Sequence, residues 1–111
     1  MKYKFTKNAY GIQGMYGVEI LDNRIEALRE IAWWGWTPSE IRMIIDKSKA
    51  LTENSKFEYQ VEGSDFIISI YPDEVYFFDT HHKSVEADFV WSFSEFIDFM
   101  EKFENFVSEN S

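Results

Sequence analysis

The spacing of apolar side chains changes several times along the chain, and each change marks an element. Tyr3 and Phe5 alternate with Lys2, Lys4 and Thr6, the two-residue period of a half-buried strand over 2–8. Gly11, Gly14 and Gly17 then crowd into Tyr10–Gly17. No Lys-Ser/Thr and no strand–turn–helix frame accompanies them, so this is a turn or hairpin and not a phosphate loop. From Leu21 the period lengthens. Leu21, Ile25, Leu28 and Ala32 recur at α-helical spacing, with Asp22 or Asn23 as cap and Gly35 as stop. This predicts a first helix ending near Trp34. Thr37, Pro38 and Glu40 supply an N-cap, a first-turn proline and a capping-box acid. They predict a second helix, Pro38–Leu51, burying Ile41, Ile44, Ile45 and Leu51.

Beyond a polar connector the two-residue period returns. Strands are expected over Phe57–Glu62, Phe66–Tyr71, Glu74–Asp79 and Val85–Trp91. Turns are expected at Gly63–Asp65 and Pro72-Asp73, and a loop at Thr80–Ser84. Connections this short allow only hairpins, hence an antiparallel meander. Ser92 and Glu95 form a second capping box. The final helix then runs to near Val107 on a stripe of Phe93, Phe96, Ile97, Met100, Phe103 and Val107, flanked by Phe99 and Phe106. The tail Ser108–Ser111 should fray. The predicted architecture is a single α+β domain spanning residues 1–111, an antiparallel sheet of four to five strands with helices packed on one face. Such a sheet leaves its other face open.

Strand alternation then assigns that open face. If Phe57, Tyr59 and Val61 point at the helices, Glu58, Gln60 and Glu62 point away. By the same parity Glu74, Tyr76 and Phe78 face out on the third strand, and Glu86, Asp88 and Val90 on the last. One register also turns Ser69 and Tyr71 outward.

Charge sharpens this picture. The 111 residues carry 11 Lys+Arg and 20 Asp+Glu, a formal net charge of -9. Residues 1–56 hold nine cations against seven anions, and residues 57–111 hold two cations against thirteen anions. Such a field favours a cationic partner and disfavours direct nucleic-acid binding, which needs Lys and Arg to displace counterions. A composition 45% hydrophobic and 19% aromatic excludes a disordered chain. There is no cysteine, which excludes disulfides, thiolate metal sites and thiol nucleophiles. No apolar run approaches the roughly 18–20 residues that span a bilayer. The N-terminal stretch lacks an apolar signal core, so a cytoplasmic protein with no membrane contact is expected.

Candidate chemistry is sparse. His81-His82 is the single histidine pair. Adjacent side chains on extended backbone point apart, so an exposed loop pair is the better reading than a metal or catalytic site. The carboxylate pairs Asp73-Glu74, Glu86 with Asp88 and Glu58 with Glu62 read as a solvated sheet face. Ser92 and Ser94 read as caps. No catalytic residue, metal site or cofactor is expected, and the protein is read as a binding protein and not an enzyme. Trp33, Trp34 and Trp36 cannot all enter one core, so at least one is a candidate anchor, since Trp and Tyr are enriched at binding hot spots. The expected contact set is Glu58, Glu62, Asp65, Asp73, Glu74, Asp79, Glu86 and Asp88 for charge, with Tyr71, Tyr76 and Trp36 as anchors.

About 110 residues, no cysteine, strong acidity and an α+β order closing on Ser92-Phe93-Ser94-Glu95-Phe96-Ile97-Asp98-Phe99 together resemble the small immunity proteins of bacterial polymorphic, contact-dependent and colicin-type toxin systems. The resemblance is one of overall style along the whole chain. It implies a basic toxin domain as partner, commonly a nuclease, blocked by carboxylates that stand in for phosphates. Two other readings stay open at this point: an acidic nucleic-acid mimic that inhibits a host nuclease, and a small housekeeping interaction domain.

Overall fold

A computed structural model describes residues 2–80 and 86–110. Six strands and two α-helices follow in the order β1 (Tyr3–Thr6), β2 (Gly17–Ile20), α1 (Pro38–Lys49), β3 (Phe57–Gln60), β4 (Phe66–Ile70), β5 (Glu74–Asp79), β6 (Phe89–Ser92) and α2 (Phe93–Asn110). Short 3-10 helices occupy Ala9–Gly11 and Asn23–Ile31. The fold is α+β. β3-β4-β5-β6 form a four-stranded antiparallel meander, and β1-β2 form a separate two-stranded antiparallel ribbon.

The ribbon explains the glycines. Gly11 and Gly14 have φ of 75° and 85°, conformations open to glycine, and they turn the chain from β1 back into β2. Tyr10, at φ 54°, joins them in the left-handed region, and its hydroxyl donates to the Arg29 carbonyl at 3.3 Å. The glycine-rich stretch expected as a turn or hairpin ends in a strand of its own, β2. It is four residues long and opens on Gly17, where a Cβ would meet Ala32 at 2.9 Å.

The first helix differs from expectation in kind. Asn23–Ile31 is a 3-10 helix and not an α-helix. Its buried residues are Ile25, Leu28 and Ile31, a spacing of three, while Leu21 is exposed. The backbone kinks at Ile25 (φ -118°, ψ 28°), so the segment is two short 3-10 turns; beyond the kink residues i and i+3 eclipse, which sets Leu28 and Ile31 on one inward line. α1 ends at Lys49, two residues early, and Ser48 takes the buried place next to Ile44, to whose carbonyl its hydroxyl donates at 2.7 Å.

One core joins these pieces. The inner sheet face (Phe66, Ile68, Ile70, Val75, Phe77 and Trp91) packs against Ile41, Ile44 and Ile45 of α1 and Phe96, Phe99, Met100 and Phe103 of α2. Both capping signals form. Thr37 accepts from the Glu40 N–H at 3.1 Å, and Ser92 from the Glu95 N–H at 3.1 Å. Glu95 returns to the Ser92 N–H at 3.3 Å, closing the box. Glu40 instead accepts the Tyr59 hydroxyl proton at 2.8 Å, tying α1 to β3. Burial, and then that bond, push the Tyr59 hydroxyl far above its ordinary value.

Candidate protein-binding face

The register of the meander builds the opposite face. Ile68 pairs with Tyr59 and Phe77, and Ile70 with Phe57 and Val75, all inward. Their neighbours form outward rows. One row crosses all four strands as Glu58, Ser69, Tyr76 and Val90, and a second runs Gln60, Ile67 and Phe78. Glu74 lies opposite Ser92. The outward assignments of Glu58, Gln60, Ser69, Glu74, Tyr76, Phe78 and Val90 therefore agree with the register.

Tyr71, Tyr76, Phe78 and Val90 make the apolar centre. The Tyr71 and Tyr76 rings meet edge to face at 5.5 Å, and Val90 is 43% exposed. Together with Ser69 and Glu86 they line a shallow depression of about 440 Å³. Its position rests on the Pro72-Asp73 turn. The Tyr71 N–H donates to the Glu74 carbonyl at 2.9 Å, making a two-residue hairpin loop. The Phe93 N–H donates to the Asp73 carbonyl at 3.0 Å, which anchors that loop to the start of α2.

The acids divide between the two ends of the sheet. Asp73 and Glu74 stand at the Tyr71 end, while Glu62, Asp65, Asp79, Glu86 and Asp88 belong to the other. Glu58 is paired with Lys56 at 2.7 Å, and the hydrogen bond and charge of Glu58 raise the Lys56 pKa. Among the described residues no cation lies within ion-pair distance of Glu62, Asp73 or Glu74.

Several expected contacts lie elsewhere. Trp36 is 2% exposed, its indole N–H donating to the Ile31 carbonyl at 2.8 Å and its ring stacked on Tyr59 at 5.9 Å. It is a core residue and no anchor. Trp34, 66% exposed, is the solvent-facing tryptophan of the three, and Trp33 is half-buried. A usable signal was present: Trp36 directly precedes the Thr37 cap, where an apolar residue commonly folds back on the first turn. Asp88 also departs from its outward assignment. β6 begins at Phe89, so Asp88 is outside the ladder, and its carboxylate turns to accept the Asp79 N–H at 2.6 Å. Asp79 and Asp88 border a cleft of about 210 Å³ with Arg24 and Arg29 of the 3-10 helix, on the helix-bearing side. Glu62 sits beside Trp34 and Gly63, off the sheet face. Asp65 accepts at its carbonyl from the Thr80 N–H at 2.9 Å, extending the β4–β5 ladder by one bond at its end. His81 and His82, and Val85 of the expected last strand, lie outside the described residues.

The negative charge of the C-terminal half is not all on the sheet. Five of its thirteen acids (Glu95, Asp98, Glu101, Glu104 and Glu109) belong to α2. Three of those five are locally balanced, by the pairs Asp98–Lys102, Glu101–Lys49 and Glu104–Arg42. No helix among the described residues is long and apolar enough to cross a membrane. Comparison with protein-family models, with curated proteins and with solved structures finds no match.

Proposed function

We propose that this protein neutralises a cationic toxin domain by docking it on the outer face of the four-stranded sheet, acting in the cytoplasm as a binding protein rather than an enzyme. One observation carries the reading. The face without helices holds the aromatic cluster Tyr71, Tyr76 and Phe78, bordered by Glu58, Glu74 and Glu86. Aromatic centres supply desolvated contact, and a carboxylate rim steers and orients a basic partner. Glu74 is the most available charge, because no described cation shares it. At Glu58 an incoming Lys or Arg displaces Lys56. A nuclease is the natural target, since carboxylates on such a face can compete with phosphates for its substrate groove.

The test takes the product of the adjacent reading frame as partner and measures binding rates at low and high salt. The reversal pair Glu58→Lys with Glu74→Lys should slow association roughly tenfold at low salt, and high salt should shrink the difference. Tyr76→Ala should accelerate dissociation. Unchanged rates for both variants reject this face. A partner that binds equally well at both salt concentrations rejects the toxin-neutralising reading itself.

A further inference from the structure

The free edge of β1 lies on the helix-bearing side, against α2. The Leu21 N–H donates to the Lys2 carbonyl at 2.9 Å, and Tyr3 pairs with Ile20, Lys4 with Glu19 and Phe5 with Val18. Bonded and non-bonded pairs alternate along an antiparallel ladder. Lys2, Lys4 and Thr6 therefore direct their backbone groups to β2, and Tyr3 and Phe5 direct theirs to the opposite edge. Among the described residues no hydrogen bond reaches the Tyr3 or Phe5 backbone there.

Aromatic contacts seat that edge against α2. The Tyr3 ring meets Phe99 at 5.1 Å, and Phe5 stacks on Phe103 and Phe106 at 5.5 Å each. Alongside runs a groove of about 520 Å³ lined by Lys2, Tyr3, Lys4, Phe5, Lys102 and Phe106. Its floor is aromatic, and the charged side chains lining it are all lysines, in a chain of net charge -9. Lys102 is paired with Asp98 at 2.9 Å, whereas Lys2 and Lys4 have no ion pair among the described residues.

We propose that this groove binds an extended acidic segment of a second protein, which adds to β1 as a third strand. The incoming backbone pairs with Tyr3 and Phe5, its apolar side chains rest on Phe5 and Phe106, and its carboxylates, on the alternate face, meet Lys2 and Lys4. Strand addition of this kind draws affinity from main-chain bonds and selectivity from the alternate side chains. An acyl anion would suit the lysines and the floor but leaves the Tyr3 and Phe5 backbone unpaired. A second copy of this chain docking through its own β1 would set lysine against lysine. Lysines also guard sheet edges against any added strand, and a guarded edge rejects acidic peptides along with the rest.

The experiment titrates the isotope-labelled full chain with a hexapeptide alternating glutamate and valine. Three further ligands are compared: its lysine–valine counterpart, its fully N-methylated form, and laurate. The Tyr3 and Phe5 amide signals should shift and become protected from hydrogen exchange. N-methylation should weaken binding roughly tenfold or more, and Lys2→Glu with Lys4→Glu should do likewise. Circular dichroism checks the fold of that variant, and if it unfolds the wild-type comparison of the peptides decides alone. Unmoved Tyr3 and Phe5 amides at millimolar peptide, equal binding of the methylated or lysine peptide, or occupation by laurate alone overturns the proposal.

Discussion

The two faces of the four-stranded sheet are made by alternate residues of the same strands, and both are rich in apolar side chains. They differ in cover. Phe66, Ile68, Ile70, Val75, Phe77 and Trp91 are buried beneath the helices, whereas Ile67, Tyr76 and Phe78 are half-buried and Val90 is exposed. Hydrophobicity alone therefore does not distinguish the covered face from the open one here. What does is the placement of the apolar stripes of the 3-10 helix, α1 and α2, all on one side. Stability and recognition should then separate along a single strand, β5. Phe77→Ala should cost about 3–5 kcal/mol in urea unfolding, because it empties a site packed against Phe89, Trp91 and Phe96. Tyr76→Ala, one residue away, should cost less than about 1 kcal/mol of stability. The same change should remove about 2 kcal/mol of partner affinity. Equal destabilisation by the two would show the outer face to be covered, and the contrast would fail.

The tryptophans repeat the contrast within three residues. Trp36 is enclosed and hydrogen-bonded, and Trp34 is largely in solvent. Trp36→Phe should cost about 1–3 kcal/mol, since it leaves the Ile31 carbonyl without its indole donor. Trp34→Ala should change stability by no more than about 0.5 kcal/mol. Thermal unfolding of the two variants side by side checks both. A large loss for Trp34→Ala would mean that the exposed indole covers something essential.

How far this division could be read beforehand depended on the range of the interaction. Signals contained in a few residues were legible: the Thr37 and Ser92 caps, the Pro72-Asp73 turn, and the strand Glu74–Asp79, whose bounds agree with expectation. Strand parity was legible too, so the outward rows through Tyr76 and Phe78 followed from alternation. Features set by tertiary contacts were not. β2 is defined by pairing with β1 and by a bridge from Tyr16 to Trp33, and its own four residues carry little pattern. The 3-10 helix shares apolar positions with an α-helix, and only burial shows which period won. Asp88 lost its outward place to one backbone N–H at the end of β5. On the acidic side, counting charges by sequence position overstated the sheet's share, because α2 carries five acids of its own.

The smallest expected effect belongs to a charge that belongs to neither face. Asp22 caps the 3-10 helix by accepting the Arg24 N–H at 2.9 Å, and its other oxygen takes the Arg24 guanidinium at 2.8 Å. These bonds, the side-chain one foremost, hold its carboxyl down at about 2, against an ordinary 3.8. A carboxyl whose pKa is lower folded than unfolded binds fewer protons in the native state. Its contribution is complete above the unfolded value and is lost as pH falls through the folded one. The window therefore lies between about pH 4 and about pH 2. Asp22→Asn keeps a capping oxygen but removes the charge. It should flatten the fall of stability with pH across that window and leave the shape of the curve near neutrality unchanged. Phe77→Ala should instead lower the curve at every pH without changing its slope there, since the ring titrates nothing. High salt should shrink the Asp22 effect, because the ion pair with Arg24 is solvent-facing. If Asp22→Asn and the wild type fall in parallel from pH 4 to pH 2, the cap is held by geometry and not by charge.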